Sequence, residues 1–121
     1  MKLIHDMKGG LLTVRLEGEL DHHCAMDITA RICELIDALL PPRVRLDCSK
    51  MPFTDSSGIA VVMRSFRAAR DIDSRFTVAG LGAQPMKVLR AAGLIEEIGA
   101  ENIRPNIGDA LAYAAELTVK Q

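Results

Sequence analysis

Segments with a two-residue hydrophobic period alternate along this chain with segments of helical period, and that alternation decides what it can fold into. Leu12, Val14 and Leu16 alternate within a run rich in strand formers, Leu11–Glu17, so one face of that strand is apolar. The preceding Lys8-Gly9-Gly10 reads as a hairpin turn from a short edge strand, Leu3 to Asp6. Ala25, Ile28, Ile32, Leu35, Ile36 and Leu39 then recur at three- and four-residue steps. At about 100° per residue they fall within an arc of roughly 100°, the stripe of a helix lying on a sheet. Asp21 is placed to cap that helix and Pro41-Pro42 to stop it. The pattern repeats: a strand over Arg43 to Cys48, then a helix from about Ser56 to Arg70 with Ile59, Val62, Met63, Phe66 and Ala69 as its core stripe. Phe76 and Val78 mark a further strand ending near Ala79, and Gly80-Leu81-Gly82 reads as a turn. Pro85 suits the first turn of a short helix ending at Gly93. A weak strand around Ile103 leads to a final helix carrying Ile107, Ala110, Leu111, Ala114 and Leu117. Strand–helix alternation of this kind implies an α/β layer with parallel or mixed pairing.

Composition narrows the functional classes. A chain of 121 residues with 49% apolar side chains is the size of a single domain with a real core. Fifteen basic against sixteen acidic residues leave a net charge of -1, without the positive excess that non-specific nucleic-acid binding requires. Three Phe and one Tyr are too few for a base-stacking platform. The longest apolar run, Ile59–Met63, is far short of the roughly 18–20 residues that span a bilayer, and an acid at Asp6 interrupts any leader-like segment. A cytoplasmic location is expected. Cys24, Cys33 and Cys48 show no paired or metal-type spacing, so they read as small core hydrophobes. No cofactor or metal is expected.

One segment carries the functional signal: Phe53-Thr54-Asp55-Ser56-Ser57-Gly58-Ile59, joining a buried strand to a helix at the sheet end where open α/β folds place their sites. With Ile59 taken as the core direction, Ser57 projects about 160° away, and Val61 and Arg64 lie near 200° and 140°. This phase puts Ser57, Val61 and Arg64 on one solvent-facing side, with Val61 as a candidate protein contact. A hydroxyl in the first helical turn sits beside free backbone N–H groups and the positive end of the helix dipole, which tolerate a phosphate. The plainer reading is that Asp55 or Ser56 caps the helix and Ser57 fills its first turn.

Asp55-Ser56-Ser57-Gly58-Ile59, with Leu16-Glu17-Gly18-Glu19-Leu20-Asp21-His22-His23 upstream, resembles the anti-sigma factor antagonists of the STAS domain family, particularly their sporulation-type members. The resemblance implies a mixed central sheet of four to five strands with about four helices. It implies that Ser57 is the phosphorylated residue and that Asp21 and Asp55 lie beside it and influence its phosphorylation or partner binding. Ser56, Gly58, Val61 and Arg64 complete the expected phosphosite environment. The implied partners are an anti-sigma factor that is a serine kinase of the histidine-kinase ATPase type, bound while Ser57 is free, and a serine phosphatase. The chain would then be a substrate and switch with no catalytic constellation. It departs from the sporulation-type pattern at Cys24, where Thr is usual, and over Met63-Arg64-Ser65-Phe66.

Three other readings are open. Ser57, His22 or His23, and Asp21 can be drawn as a hydrolase triad, but the G-x-S-x-G elbow is missing. Gly80-Leu81-Gly82 is a weak nucleotide-loop signal and reads better as a turn. Within the same superfamily, an accessory STAS subunit of a lipid-transport or stressosome assembly keeps the fold and the serine. Arg64, Arg67 and Arg70 read as a charged outer helix face.

Overall fold

In the computed structural model, which describes residues 1–105, the chain begins with a hairpin. Strand β1 (Lys2–Lys8) runs antiparallel to β2 (Leu11–Glu17), with Lys8 opposite Leu11. Gly9 and Gly10 between them have φ of +57° and +77°, the two successive positive values that a tight right-twisting hairpin loop requires. The edge strand is thus longer than the Leu3–Asp6 expected from sequence.

The remaining strands are parallel to β2 and follow in chain order across a five-stranded mixed sheet, β1-β2-β3-β4-β5. Helix α1 (His22–Leu39) leads to β3 (Arg43–Lys50), and α2 (Ser56–Asp71) leads to β4 (Arg75–Leu81). Helices α3 (Ala83–Ala91) and α4 (Leu94–Ile98), then a 3-10 turn at Ala100–Asn102, lead to β5 (Ile103–Pro105). Parallel crossovers are right-handed, so a sheet built in one direction carries its helices on one face. The burial pattern agrees: Leu12, Val14 and Leu16 of β2, Val44, Leu46 and Cys48 of β3, and Phe76 and Val78 of β4 are all buried. Register stacks them into rows, Leu12–Val44–Phe76 and Val14–Leu46–Val78. Ile28, Ile32 and Ile36 of α1 and Val61, Val62 and Ala69 of α2 close over those rows. The opposite face of the sheet carries Thr13, Arg15, Arg45, Asp47, Thr77 and Ala79, all half-buried or exposed.

Two further sequence expectations are corrected. Gly80 and Leu81 belong to β4 rather than to a turn; Gly80, with φ +75°, packs so closely on Ser49 that a Cβ would lie 2.8 Å from its backbone N. Leu39 is 40% exposed, because α1 ends there and Leu40 takes a left-handed φ of 44° ahead of Pro41. The short helix α4 has too few residues for a periodic stripe to announce it. The final helix expected over 107–117 lies outside the described residues.

Candidate functional site

Leu20 and Thr54 form an isolated parallel bridge beyond the ends of β2 and β3. The Leu20 amide donates to the Phe53 carbonyl at 3.3 Å, and the buried Thr54 hydroxyl donates to the Leu20 carbonyl at 2.9 Å. Asp21 and Asp55 follow immediately in sequence, so the residue after each bridge partner is an aspartate. Each is a helix N-cap in extended conformation. Asp21 accepts the His23 N–H at 3.0 Å, and Asp55 accepts the Ser57 N–H at 2.8 Å. Two long helices therefore begin next to one another, their positive ends each countered by one carboxylate. Desolvation pushes the Asp21 carboxyl up, but the N–H of His23 and the thiol and N–H of Cys24 outweigh it and hold its pKa below the usual value.

A second clamp comes from α3. The Gln84 side-chain amide donates to the Thr54 carbonyl at 2.8 Å, and its oxygen accepts the Thr54 N–H at 3.0 Å. The residue before Asp55 is thus held on both its backbone groups. Gly58, one turn into α2, lies directly against it: a Cβ there would overlap the Thr54 hydroxyl oxygen and lie 3.0 Å from the Thr54 Cβ. Gly58 is a close-packing residue that lets the first turn of α2 seat on the bridge, and it is buried. Thr54 and Gln84 were not singled out from sequence, because their partners come from segments thirty residues away.

The phase of α2 differs from the sequence expectation. Gly58, Val61, Val62, Ser65 and Ala69 are its buried residues, while Ile59, Met63 and Phe66 are half-buried. At 100° per residue the core direction is rotated by about 80° from the apolar stripe. The small residues Gly58, Ser65 and Ala69 lie on the buried side of α2, where they permit close approach, and the Ser65 hydroxyl donates to the Val61 carbonyl at 2.7 Å. The bulky stripe is displaced to a flank, where Phe66 packs on Phe76 with centroids 5.8 Å apart.

Val61 is consequently fully buried and cannot be a surface contact, contrary to the sequence reading. Ser57 is half-buried rather than turned fully outward, and Ser56 is exposed and does not cap, since Asp55 does. Ser57, Val61 and Arg64 do share one side of α2, and Arg64 is exposed on it. That side adjoins α1: burial raises the Cys33 thiol pKa, and Asp37 adds to this while the Arg64 charge opposes it. Arg67 and Arg70 are exposed, Arg70 lying 5.4 Å from the Phe66 ring centroid. Two apolar side chains missed by periodicity are exposed near the bridge end, Phe53 at 42% and Met26 at 81%. Phe53 precedes the helix and Met26 lies off the α1 stripe, so neither belongs to a buried pattern.

The hydrolase reading finds no support in the geometry. His22 and His23 stack on each other with centroids 4.0 Å apart, and among the described residues neither imidazole hydrogen-bonds Ser57. No cluster of metal-ligating side chains occurs among the described residues, and no helix there is long and apolar enough to cross a membrane.

The order of strands, the paired helix starts and the D-S-S-G turn together match a known pattern, and the model of the STAS domain matches residues 4–110. The chain belongs to the STAS domain family. It is 28% identical over 87 residues to an anti-sigma F factor antagonist of Paenibacillus polymyxa, covering 72% of this chain and 74% of that protein. Among solved structures it resembles the anti-sigma factor antagonist SpoIIAA in its unphosphorylated form, at 26% identity and a TM-score of 0.61 over 74% of this chain and 82% of that one. A sulfate transporter family protein from Wolinella succinogenes shares the fold, at 20% identity and a TM-score of 0.71 over 96% of this chain and 93% of that one.

In this STAS domain the capped pair of helix starts offers a hydroxyl, Ser57, on a turn whose N–H is already held by Asp55. A phosphoryl group there would gain from the helix dipole and from first-turn N–H groups, and would lose from the neighbouring carboxylates.

Proposed function

We propose that this STAS domain is an anti-sigma factor antagonist that works by partner switching. It binds an anti-sigma factor, a serine kinase of the histidine-kinase ATPase type, while Ser57 is free. Transfer of the ATP γ-phosphoryl group to the Ser57 hydroxyl ends the complex, and a serine phosphatase restores binding. The domain itself does no catalysis. The observation that carries this reading is the placement of Ser57 in the first turn of α2, with Asp55 on its amide and the capped start of α1 alongside. Phosphorylation adds about -1.5 to -2 charges to a helix start that already carries the Asp55 carboxylate, with Asp21 capping the neighbouring helix, and so makes this end more acidic. The exposed Phe53 and Met26 at the same end supply the apolar contacts that such a change would render unfavourable to dock on. Arg64 adds a basic contact on the same side of α2 as Ser57. The likeness to the P. polymyxa antagonist supports the partner class.

The test is phosphate transfer from ATP by the anti-sigma kinase encoded in the same genome, followed by intact mass. Ser57→Ala should abolish phosphate gain and Ser56→Ala should leave it intact; the reverse pattern would move the site to the exposed neighbour. Ser57→Asp should weaken kinase binding by more than about 1 kcal/mol with little effect on stability. Wild-type affinity for that variant would show that charge at Ser57 is not the switch.

A further inference from the structure

The sheet face opposite the helices carries a charge pattern that the partner-switching reading does not use. Alternation along the strands puts Arg43 and Arg45 of β3, Arg75 of β4 and Arg104 of β5 on that face, all exposed. Arg43 and Arg75 are direct cross-strand partners, an arrangement of like charges that weakens the sheet. On these three strands the face has one carboxylate among the described residues, Asp47, and it is already matched. Its Oδ2 accepts the Arg15 Nε–H at 3.3 Å and its Oδ1 accepts the Ser49 N–H at 3.0 Å. The other four guanidinium groups have no carboxylate within ion-pair distance among the described residues, although one Arg43 Nη2–H donates to the Gly9 carbonyl at 2.7 Å. This concentration occurs in a chain whose overall charge is -1, so it is local and not a reflection of composition. A depression of about 560 Å³ is lined by Arg45 and Arg104 together with Asp47, Ser49, Thr77 and Ala79.

We propose that this face, exposed among the described residues, docks an extended acidic segment of a partner protein. The spacing argues for a polypeptide: residues two apart on a strand, such as Arg43 and Arg45, lie about 6.6 Å apart, which is also the repeat of alternate side chains in an extended peptide. Alternate Asp or Glu side chains can therefore meet successive arginines, each in a bidentate pair. Among the described residues the face offers no aromatic side chain on which nucleic-acid bases would stack, since Phe76 points into the core. The depression admits the acidic side chains or backbone of such a segment between Arg45 and Arg104. Because Ser57 belongs to the helical side, this surface can be filled while the α1–α2 end engages its own partner.

Amide resonances of the isotope-labelled full chain, titrated with a decaglutamate peptide, test the proposal. Saturable shifts centred on Ser49, Thr77 and Ala79 are expected. The double variant Arg45→Gln/Arg104→Gln should weaken binding about five- to tenfold, the loss of two exposed ion pairs. Arg67→Gln/Arg70→Gln, which removes the same charge from α2, should leave the affinity unchanged. The proposal is overturned if decaglutamate perturbs the helical side instead, or if both double variants weaken it equally. It is also overturned if a twelve-residue oligothymidine, or vesicles of phosphatidylcholine with one-fifth phosphatidylglycerol, bind this face more tightly than the peptide does.

Discussion

Replacing Gly58 by Ala probes the contact that seats α2 on the bridge between Leu20 and Thr54. The added Cβ cannot coexist with the Thr54 hydroxyl in its present rotamer, since the two would overlap. Either Thr54 rotates or α2 lifts. Rotation abandons the buried bond from the Thr54 hydroxyl to the Leu20 carbonyl, 2.9 Å long, and strands a buried polar group at a cost of about 1–3 kcal/mol. Lifting the helix costs a similar 1–3 kcal/mol of overpacking strain. Against either stands the better helix propensity of Ala, worth about 1 kcal/mol at most in a helix interior and less in the first turn. The net expectation is a loss of about 1–3 kcal/mol, read as a lower urea midpoint at unchanged slope. The decisive measurement is a double-mutant cycle with Thr54→Ala, which removes the overlapping oxygen and leaves only the 3.0 Å approach to the Thr54 Cβ. In that background Gly58→Ala should cost at least about 1 kcal/mol less than in the wild type, which is the coupling energy of the pair. Equal costs in the two backgrounds, or a stabilised single variant, would refute the argument that Thr54 dictates glycine at position 58.

Val61→Ala should cost about 1–3 kcal/mol, and Val61→Glu about 3–5 kcal/mol as an unpaired buried charge; a Val61→Glu variant with wild-type melting would contradict its burial. Burial, with Asp47 adding to it, pushes the Cys48 thiol up to about 12, so iodoacetamide at pH 8 should label Cys48 only as urea unfolds the chain. Rapid labelling of the native protein would refute that. Desolvation raises the Asp47 carboxyl, but the Ser49 hydroxyl and amide and the Arg15 guanidinium outweigh it and hold it below its ordinary 3.8. Its stabilising contribution is therefore complete above that value and lost as the pH falls through the lower folded pKa, so Asp47→Asn should flatten the acid limb of a stability–pH curve below about pH 4.

The succession of the longer strands and helices along the chain was legible from sequence because each of them carries its own period, whereas the short α4 and the order of strands in the sheet were not. Leu12, Val14 and Leu16 alternate, Ile28, Ile32 and Ile36 recur by helical turns, and both signals act within a few residues of chain. The cap of α1 was legible for the same reason, while that of α2 was left between Asp55 and Ser56: Asp21 and Asp55 accept N–H groups two residues ahead, a local interaction that any such chain would favour. The segment around Ser57 stood out because its residue types sit between a strand and a helix. What sequence misjudged was the rotation of α2. Hydrophobic periodicity weighs side chains by size, whereas a helix squeezed between a sheet and a neighbouring helix turns its smallest residues to the closest contact. Gly58, Ser65 and Ala69 therefore took the inner face, Val61 became buried, and Phe66 moved to the flank against Phe76. Only tertiary structure could also decide that Gln84 holds Thr54 and that arginines from separate strands share one face, because register brings together residues some thirty positions apart. Local periods determine which elements form, and the close packing of surfaces from distant segments determines which side of each one faces in.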